Sequence, residues 1–193
     1  MPGDSAQADP VSSLPQTATE PGPAAPSPSS LPSRTVLIAL ATTIVGLDQA
    51  TKALVRIMVP IYDIVPVLPG LFNITHARNT GAAFGFLNAV DIPFKPYLMT
   101  VVAAIALVSI IVYSTHAATQ FPLSQYGLAC VVGGAIGNLI DRVRVGYVLD
   151  FIDVYWRGWH FWTFNVADAA ISVGAGLLIL DMVWVNQHVS ETP

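Results

Sequence analysis

The sequence predicts a membrane all-α domain of four transmembrane helices, and three observations carry that prediction. The 193 residues are 53% hydrophobic and only 10% charged, whereas a soluble domain carries about a quarter charged residues. Four separate stretches are long and apolar enough to cross a hydrocarbon core ~30 Å thick, which takes about 20 residues of helix. The ionisable residues inside those stretches gather towards one membrane face instead of scattering. Eight Lys and Arg in total and a formal charge of −4 leave no basic stripe for a phosphate backbone, so no nucleic acid is expected as a partner. The single cysteine, Cys130, rules out an internal disulfide framework or a Cys-rich metal site. It lies in an apolar run and reads as a small core residue.

Residues 1–33 read as a disordered tail. Eight of the fifteen prolines fall there, among Ser, Ala and Thr and almost no large aliphatic residues, a composition that cannot bury enough apolar surface to offset its ordering entropy. The first apolar run begins only at Thr35, after the lone cation Arg34, and reads as a retained anchor, not a signal peptide. The membrane domain spans residues 34–187, and residues 188–193 form a short C-terminal tail. Its first helix, residues 35–59, turns polar in its second half through Asp48, Gln49, Lys52 and Arg56. The second, residues 97–113, has no ionisable group. The third, residues 125–143, is rich in Gly and Ala, which let helices approach closely, and ends in Asn138, Asp141 and Arg142. The fourth, residues 164–185, opens with Asn165 and Asp168.

Two loops connect these helices on one side. In the first, residues 60–96, turn residues punctuate the chain at Pro66, Pro69-Gly70 and Asn79-Thr80-Gly81, and residues 71–78 alternate as a short half-buried strand does. The second, residues 144–163, carries Tyr147, Phe151, Tyr155, Trp156, Trp159, Phe161 and Trp162. Tyr and Trp concentrate where lipid meets water, so this loop is expected to rest on the bilayer surface.

Each ionisable group in a spanning segment costs roughly 2.5–3.5 kcal/mol on insertion scales, and such groups face a partner or a wet cavity. Asp48, Lys52, Arg56, Asp141, Arg142 and Asp168 at one face therefore imply a shared polar site. The pattern Asn-x-x-Asp occurs twice, at 138–141 and 165–168. Residues i and i+3 share a helix face, so each amide can reach its own carboxylate or the opposite one. No Ser stands beside a His, there is no HExxH, and no Cys has a neighbouring base. His76, His116, His160 and His188 are dispersed. His76 and His160 can approach from the two loops, but read as solvated or interface residues, so neither metal nor cofactor is expected.

What remains is a carboxylate pair. Two adjacent Asp side chains do not both ionise cheaply, so one stays protonated. The ionised member can deprotonate water while the other donates to a scissile carbonyl. On the residues alone the pair would be Asp141 and Asp168, both on helices. Asp48 and Lys52 read as an i,i+4 pair with a mainly structural role, Asp153 as a solvated loop residue, and Asp181 as interfacial at the opposite end. The rival reading is a transporter or channel whose carboxylates bind protons or cations. Against it, the polar groups lie at one face and no pair of broken helices is evident. A purely structural membrane protein would not need so many partly buried charges.

Five blocks resemble bacterial lipoprotein signal peptidases (signal peptidase II): Asp48-Gln49-Ala50-Thr51-Lys52; Arg78-Asn79-Thr80-Gly81-Ala82-Ala83-Phe84; the run from Gly133 to Arg142 containing Asn138 and Asp141; Gly146-Tyr147-Val148-Leu149-Asp150-Phe151-Ile152; and Phe164-Asn165-Val166-Ala167-Asp168. They occur in the family's order and cover everything after the tail. The resemblance implies an intramembrane aspartic peptidase that removes signal peptides from diacylglyceryl-modified prolipoproteins, cleaving N-terminal to the lipidated cysteine. It implies four helices with an extracytoplasmic β-cradle between the first two. Carried over by motif, the catalytic pair is Asp150 and Asp168, and Asn138, Asp141, Arg142 and Asn165 support it. Asn79 and Gly81 contact substrate, while Asp48 and Lys52 shape the site.

The expected location is the bacterial cytoplasmic membrane, with both termini cytoplasmic and the site near the outer face. The partners are prolipoprotein and membrane lipid, and the protein is expected to be a monomer. The charge count runs the other way. Lys52, Arg56, Arg78, Lys95, Arg142, Arg144 and Arg157 lie on the site's side and only Arg34 opposite, which by the positive-inside rule would put both termini outside. Several of these cations have carboxylate neighbours and so report topology poorly.

Overall fold

The computed structural model describes residues 31–81, 92–116 and 121–189. Most of the N-terminal tail reading, residues 190–193 of the C-terminal tail, Ala82-Ala83-Phe84 and the side chains of His116 and His188 lie outside what it describes.

Four helices run through the described residues: α1 (Arg34–Met58), α2 (Lys95–His116), α3 (Pro122–Val145) and α4 (Val166–Val189). Each contains a stretch long and apolar enough to cross a membrane. Their boundaries follow local chemistry. The Ser33 hydroxyl caps α1 by accepting from the Val36 N–H at 3.3 Å. Proline, whose missing N–H costs nothing in a first turn, opens α3. Gly146 closes α3 in the left-handed region, with φ 78°, its N–H donating to Arg142 O at 3.0 Å. Large apolar side chains point outwards, Ile57 at 84% exposure and Ile38 at 66%. That is unfavourable in water and natural against lipid.

The helix α3 is the hub, packing on α1, α2 and α4, and its glycines make this possible. A Cβ on Gly127 would fall 2.9 Å from Gly174 O of α4, and one on Gly133 would fall 2.9 Å from Ala41 O of α1.

The two loops build one antiparallel sheet in the order β1 (Ile64–Leu68), β2 (Phe72–Asn79), β3 (Val148–Trp156), β4 (Trp159–His160). The strand predicted at 71–78 is β2, shifted by one residue at each end. The aromatic second loop adds the rest: β3 returns through Arg157 and Gly158, both at positive φ, into β4. Hydropathy alternation does not reveal β3 because its residues from Val148 to Phe151 are all buried. Leu149 and Phe151 pack on Val55 and Val59, seating the sheet on the end of α1. The β2–β3 register sets Ala77 opposite Asp150 and Asn79 opposite Val148, which brings the Asn79 turn to the first residues of β3.

Candidate active site

The foundation is a buried charge cluster between α1 and α3. Lys52, 0% exposed, meets Asp48 Oδ2 at 2.8 Å and Asp141 Oδ2 at 3.0 Å. Its Nζ also donates to Asn138 Oδ1 at 2.9 Å, so three N–H groups find three acceptors. Asp141 Oδ1 accepts from Arg56 at 2.7 Å, and its Oδ2 accepts from the Leu149 N–H at 3.2 Å. Asp48 Oδ1 accepts from the Ala167 N–H at 3.0 Å, satisfying one of the donors exposed at the start of α4. The i,i+4 pair read from the sequence is therefore present, and it also fastens α1 to α3 and α4. Removing one partner from such a buried set costs about 3–5 kcal/mol.

Above this cluster the two Asn-x-x-Asp patterns meet. Asn165 caps α4: its Oδ1 accepts from the Asp168 N–H at 2.9 Å, and Asp168 Oδ2 accepts from the Asn165 N–H at 3.2 Å. This is a reciprocal capping box. With its oxygen so engaged, Asn165 turns its Nδ2 to Asp150 Oδ1 at 2.8 Å. Asn138 Nδ2 donates to Asp168 Oδ1 at 2.8 Å. Each amide thus serves a carboxylate on a different element. Asn79 Nδ2 reaches Asp150 Oδ2 at 3.0 Å, while Asn79 Oδ1 accepts from the Gly81 N–H at 3.0 Å. Arg142 donates to Gly81 O at 2.7 Å, holding that turn from α3.

Asp150 is 3% exposed. Burial pushes its carboxyl up to about 7, the Asp168 charge adding to the rise and the Asn79 and Asn165 amides and Lys52 opposing it. The arrangement therefore holds two carboxylates close enough to influence each other, each fixed by amide donors. A cleft of about 330 Å³ runs from them between α2, α3 and α4. Its polar end holds Asn79, Asn138, Arg142 and Asp168, and its walls are apolar, including Leu107, Ile110, Val131 and Ile171. Asp150 is joined to this end through its bond to Asn79.

All ten residues singled out by sequence lie in this one network. Asp141, favoured by the helix-only reading, sits below the pair with Lys52 and Arg56. Two expectations need correction. Asp153 is not solvated: it is 4% exposed, accepts from Asn73 Nδ2 at 2.8 Å, and pairs with His160 Nδ1 at 2.8 Å. Asn73 and Asp153 are cross-strand partners, which sequence spacing could not show. His76 is also buried, its Nδ1 on Val59 O at 2.9 Å, although His160 remains half-exposed. Asp181, towards the opposite end of α4, accepts from the Ser124 hydroxyl of α3.

Four helices able to cross a membrane, with two amide-held carboxylates beside the polar end of a cleft, define a class, a multi-pass membrane protein with a polar site at one end of its helix bundle. The comparisons narrow it. The signal peptidase (SPase) II family matches residues 40–184, and the chain belongs to that family. It is a membrane peptidase. A lipoprotein signal peptidase of Geobacter metallireducens is 47% identical over 137 residues, 71% of this chain and 83% of the relative. One from Nitratidesulfovibrio vulgaris is 42% identical over 147 residues, 76% of this chain and 88% of the relative. A bacterial membrane enzyme solved in meso at 2.3 Å superposes with a TM-score of 0.72 at 31% identity, covering 83% of this chain and 94% of that one.

Proposed function

We propose that this peptidase is an aspartic endopeptidase that removes signal peptides from diacylglyceryl-modified prolipoproteins, cleaving N-terminal to the lipidated cysteine, with Asp150 and Asp168 as the catalytic pair. The observation that carries the reading is the crossed amide pattern, Asn138 on Asp168 and Asn165 on Asp150, each at 2.8 Å. It fixes two acids beside the polar end of a cleft whose walls suit a lipid chain.

One carboxylate takes a proton from water as the water oxygen bonds to the scissile carbonyl carbon. The other carboxyl gives its proton to the carbonyl oxygen, forming a gem-diol. The C–N bond then breaks as the first acid returns its proton to the leaving nitrogen. The second recovers one from a diol hydroxyl, which restores both groups. Asn79, Gly81 and Arg142 hold the substrate backbone, Asn138 and Asn165 orient the acids, and Asp48, Lys52 and Asp141 keep the frame. Acyl chains keep the cysteine at membrane depth and present the neighbouring bond at the height of the pair, replacing a three-dimensional search with a local one. The site faces the extracytoplasmic side of the bacterial cytoplasmic membrane, both termini are cytoplasmic, and the enzyme works as a monomer without a metal.

The test is cleavage of one precursor with and without diacylglyceryl on its cysteine by the purified protein. Only the lipidated form is expected to be cut, at the bond preceding the cysteine, and a chelator is expected to leave the rate unchanged. Efficient processing of the unlipidated form, or loss of activity on chelation, overturns the reading.

A further inference from the structure

Two of the three contacts made by the Lys52 ammonium are ion pairs, to Asp48 and Asp141. The third, to Asn138 Oδ1 at 2.9 Å, is of a different kind, because an amide has one accepting and one donating end. With its oxygen held by Lys52 and by the Asn165 amide at 3.2 Å, Asn138 presents its NH₂ to Asp168. Asp168 also accepts the Asn165 N–H and stands in the first turn of α4, where the helix dipole favours an anion. Asp150 has a different setting. It lies on a strand, 3% exposed, and accepts from the neutral amides of Asn79 and Asn165.

We propose that Lys52 is a positioning residue which, acting through Asn138, holds Asp168 as the ionised member of the pair and leaves the proton on Asp150. The inference rests on the acid-pair reading above and assigns the roles within it: Asp168 takes the proton from water and Asp150 gives one to the carbonyl oxygen. The charged groups around the pair are Asp48 and Lys52 from α1 and Asp141 and Arg142 from α3. The cleft wall contributed by α2 is apolar. Asp48 and Asp141 are each paired with Lys52, and the Arg142 charge acts on both acids, so the donors that distinguish the two acids are Asn138 and the start of α4. The raised titration of Asp150, to about 7, accords with a proton there.

Infrared titration of the purified protein reads the proton without turnover. In mildly acid buffer the protonated-carboxyl band is expected to vanish in Asp150→Asn and persist in Asp168→Asn; the reverse overturns the assignment. The role of Lys52 is read from the pH dependence of cleavage of a synthetic diacylglyceryl lipopeptide. Lys52→Met and Asn138→Ser are both expected to move the acid limb towards neutral by roughly one pH unit, the scale of a displaced neighbouring charge. Asn138→Ser retains both Lys52 ion pairs and keeps the test open where Lys52→Met fails to fold. An unmoved acid limb in Asn138→Ser overturns the inference, and so does a folded, active Lys52→Met variant whose acid limb stays at the wild-type position. Wild-type cleavage by Asp150→Asn or Asp168→Asn would instead bring down the acid-pair reading itself, a separate outcome.

Discussion

Asp150 is 3% exposed, faces a second acid, and lies on a strand where no helix dipole helps it ionise. Its carboxyl titrates near 7 in the folded protein, against 3.8 ordinarily. Between those two values the native state holds a proton that the unfolded chain releases. Its contribution to stability is therefore complete below the lower value and is lost as pH rises through the upper one. The melting temperature in detergent is expected to fall from mildly acid to neutral pH, and the slope to flatten in Asp150→Asn. Parallel slopes in the two proteins would contradict this. At this scale much of the site was legible. The doubled Asn-x-x-Asp and the Asp48–Lys52 spacing both mark residues that meet. The crossing of the amides was not legible, because Asp150 arrives on a strand whose partner, β2, lies some 70 residues earlier (Ala77 opposite Asp150). Helix logic alone therefore chose Asp141, whose oxygens are taken by Lys52, Arg56 and the Leu149 N–H. The burial of Asp153 was not legible either, since its partners, Asn73 and His160, come from the strands on either side.

Among the elements, close packing of α3 on α1 and α4 determines where the acids stand. A Cβ on Gly137 would fall 2.6 Å from Asp48 Oδ2, and Asp48 cannot yield, being held by Lys52 and the Ala167 N–H. A Cβ on Gly46 of α1 would meet nothing within 4 Å. Gly137→Ala is therefore expected to lower both folded yield and melting temperature. Gly46→Ala is expected to be neutral or to stabilise by up to about 1 kcal/mol, the helix-propensity gain of Ala over Gly. Thermal unfolding of the two variants in the same detergent checks the contrast, and equal effects would contradict the packing argument. Small residues in the third apolar run were visible in the sequence as a packing surface. Which glycine faces which carboxylate depends on helix rotation, which composition does not encode.

The whole molecule places two loops of different character in one sheet above one end of the bundle. Apolar run length made the four helices readable, because each run alone satisfies the span of the bilayer. Only one strand was readable, because β2 alternates whereas the start of β3 is buried throughout. Orientation is where charge and family part company. Lys52 and Arg56 are bound within the site, and Arg78 lies over the Tyr147 ring at 4.8 Å, so they are poor reporters for the positive-inside rule. With Cys130 replaced, Ser13→Cys in the tail is expected to resist a membrane-impermeant thiol reagent in intact cells. Asp63→Cys, at an exposed position before β1, is expected to react. The opposite pattern would place the site on the cytoplasmic side.

The central claim is that Asp150 and Asp168 act as one catalytic unit while Asp141 supports them. Asp→Asn keeps size and shape and removes the acid–base function. Turnover of a lipidated precursor per folded molecule, measured side by side for Asp150→Asn, Asp168→Asn and Asp141→Asn, tests this most directly. Members of one unit fail together, so the first two are expected to lose at least about a thousandfold in rate while remaining folded. Asp141→Asn is expected either to keep most of its rate or to be lost at the folding step, through the Lys52 and Arg56 contacts. An active Asp150→Asn beside a well-folded, inactive Asp141→Asn would contradict the account.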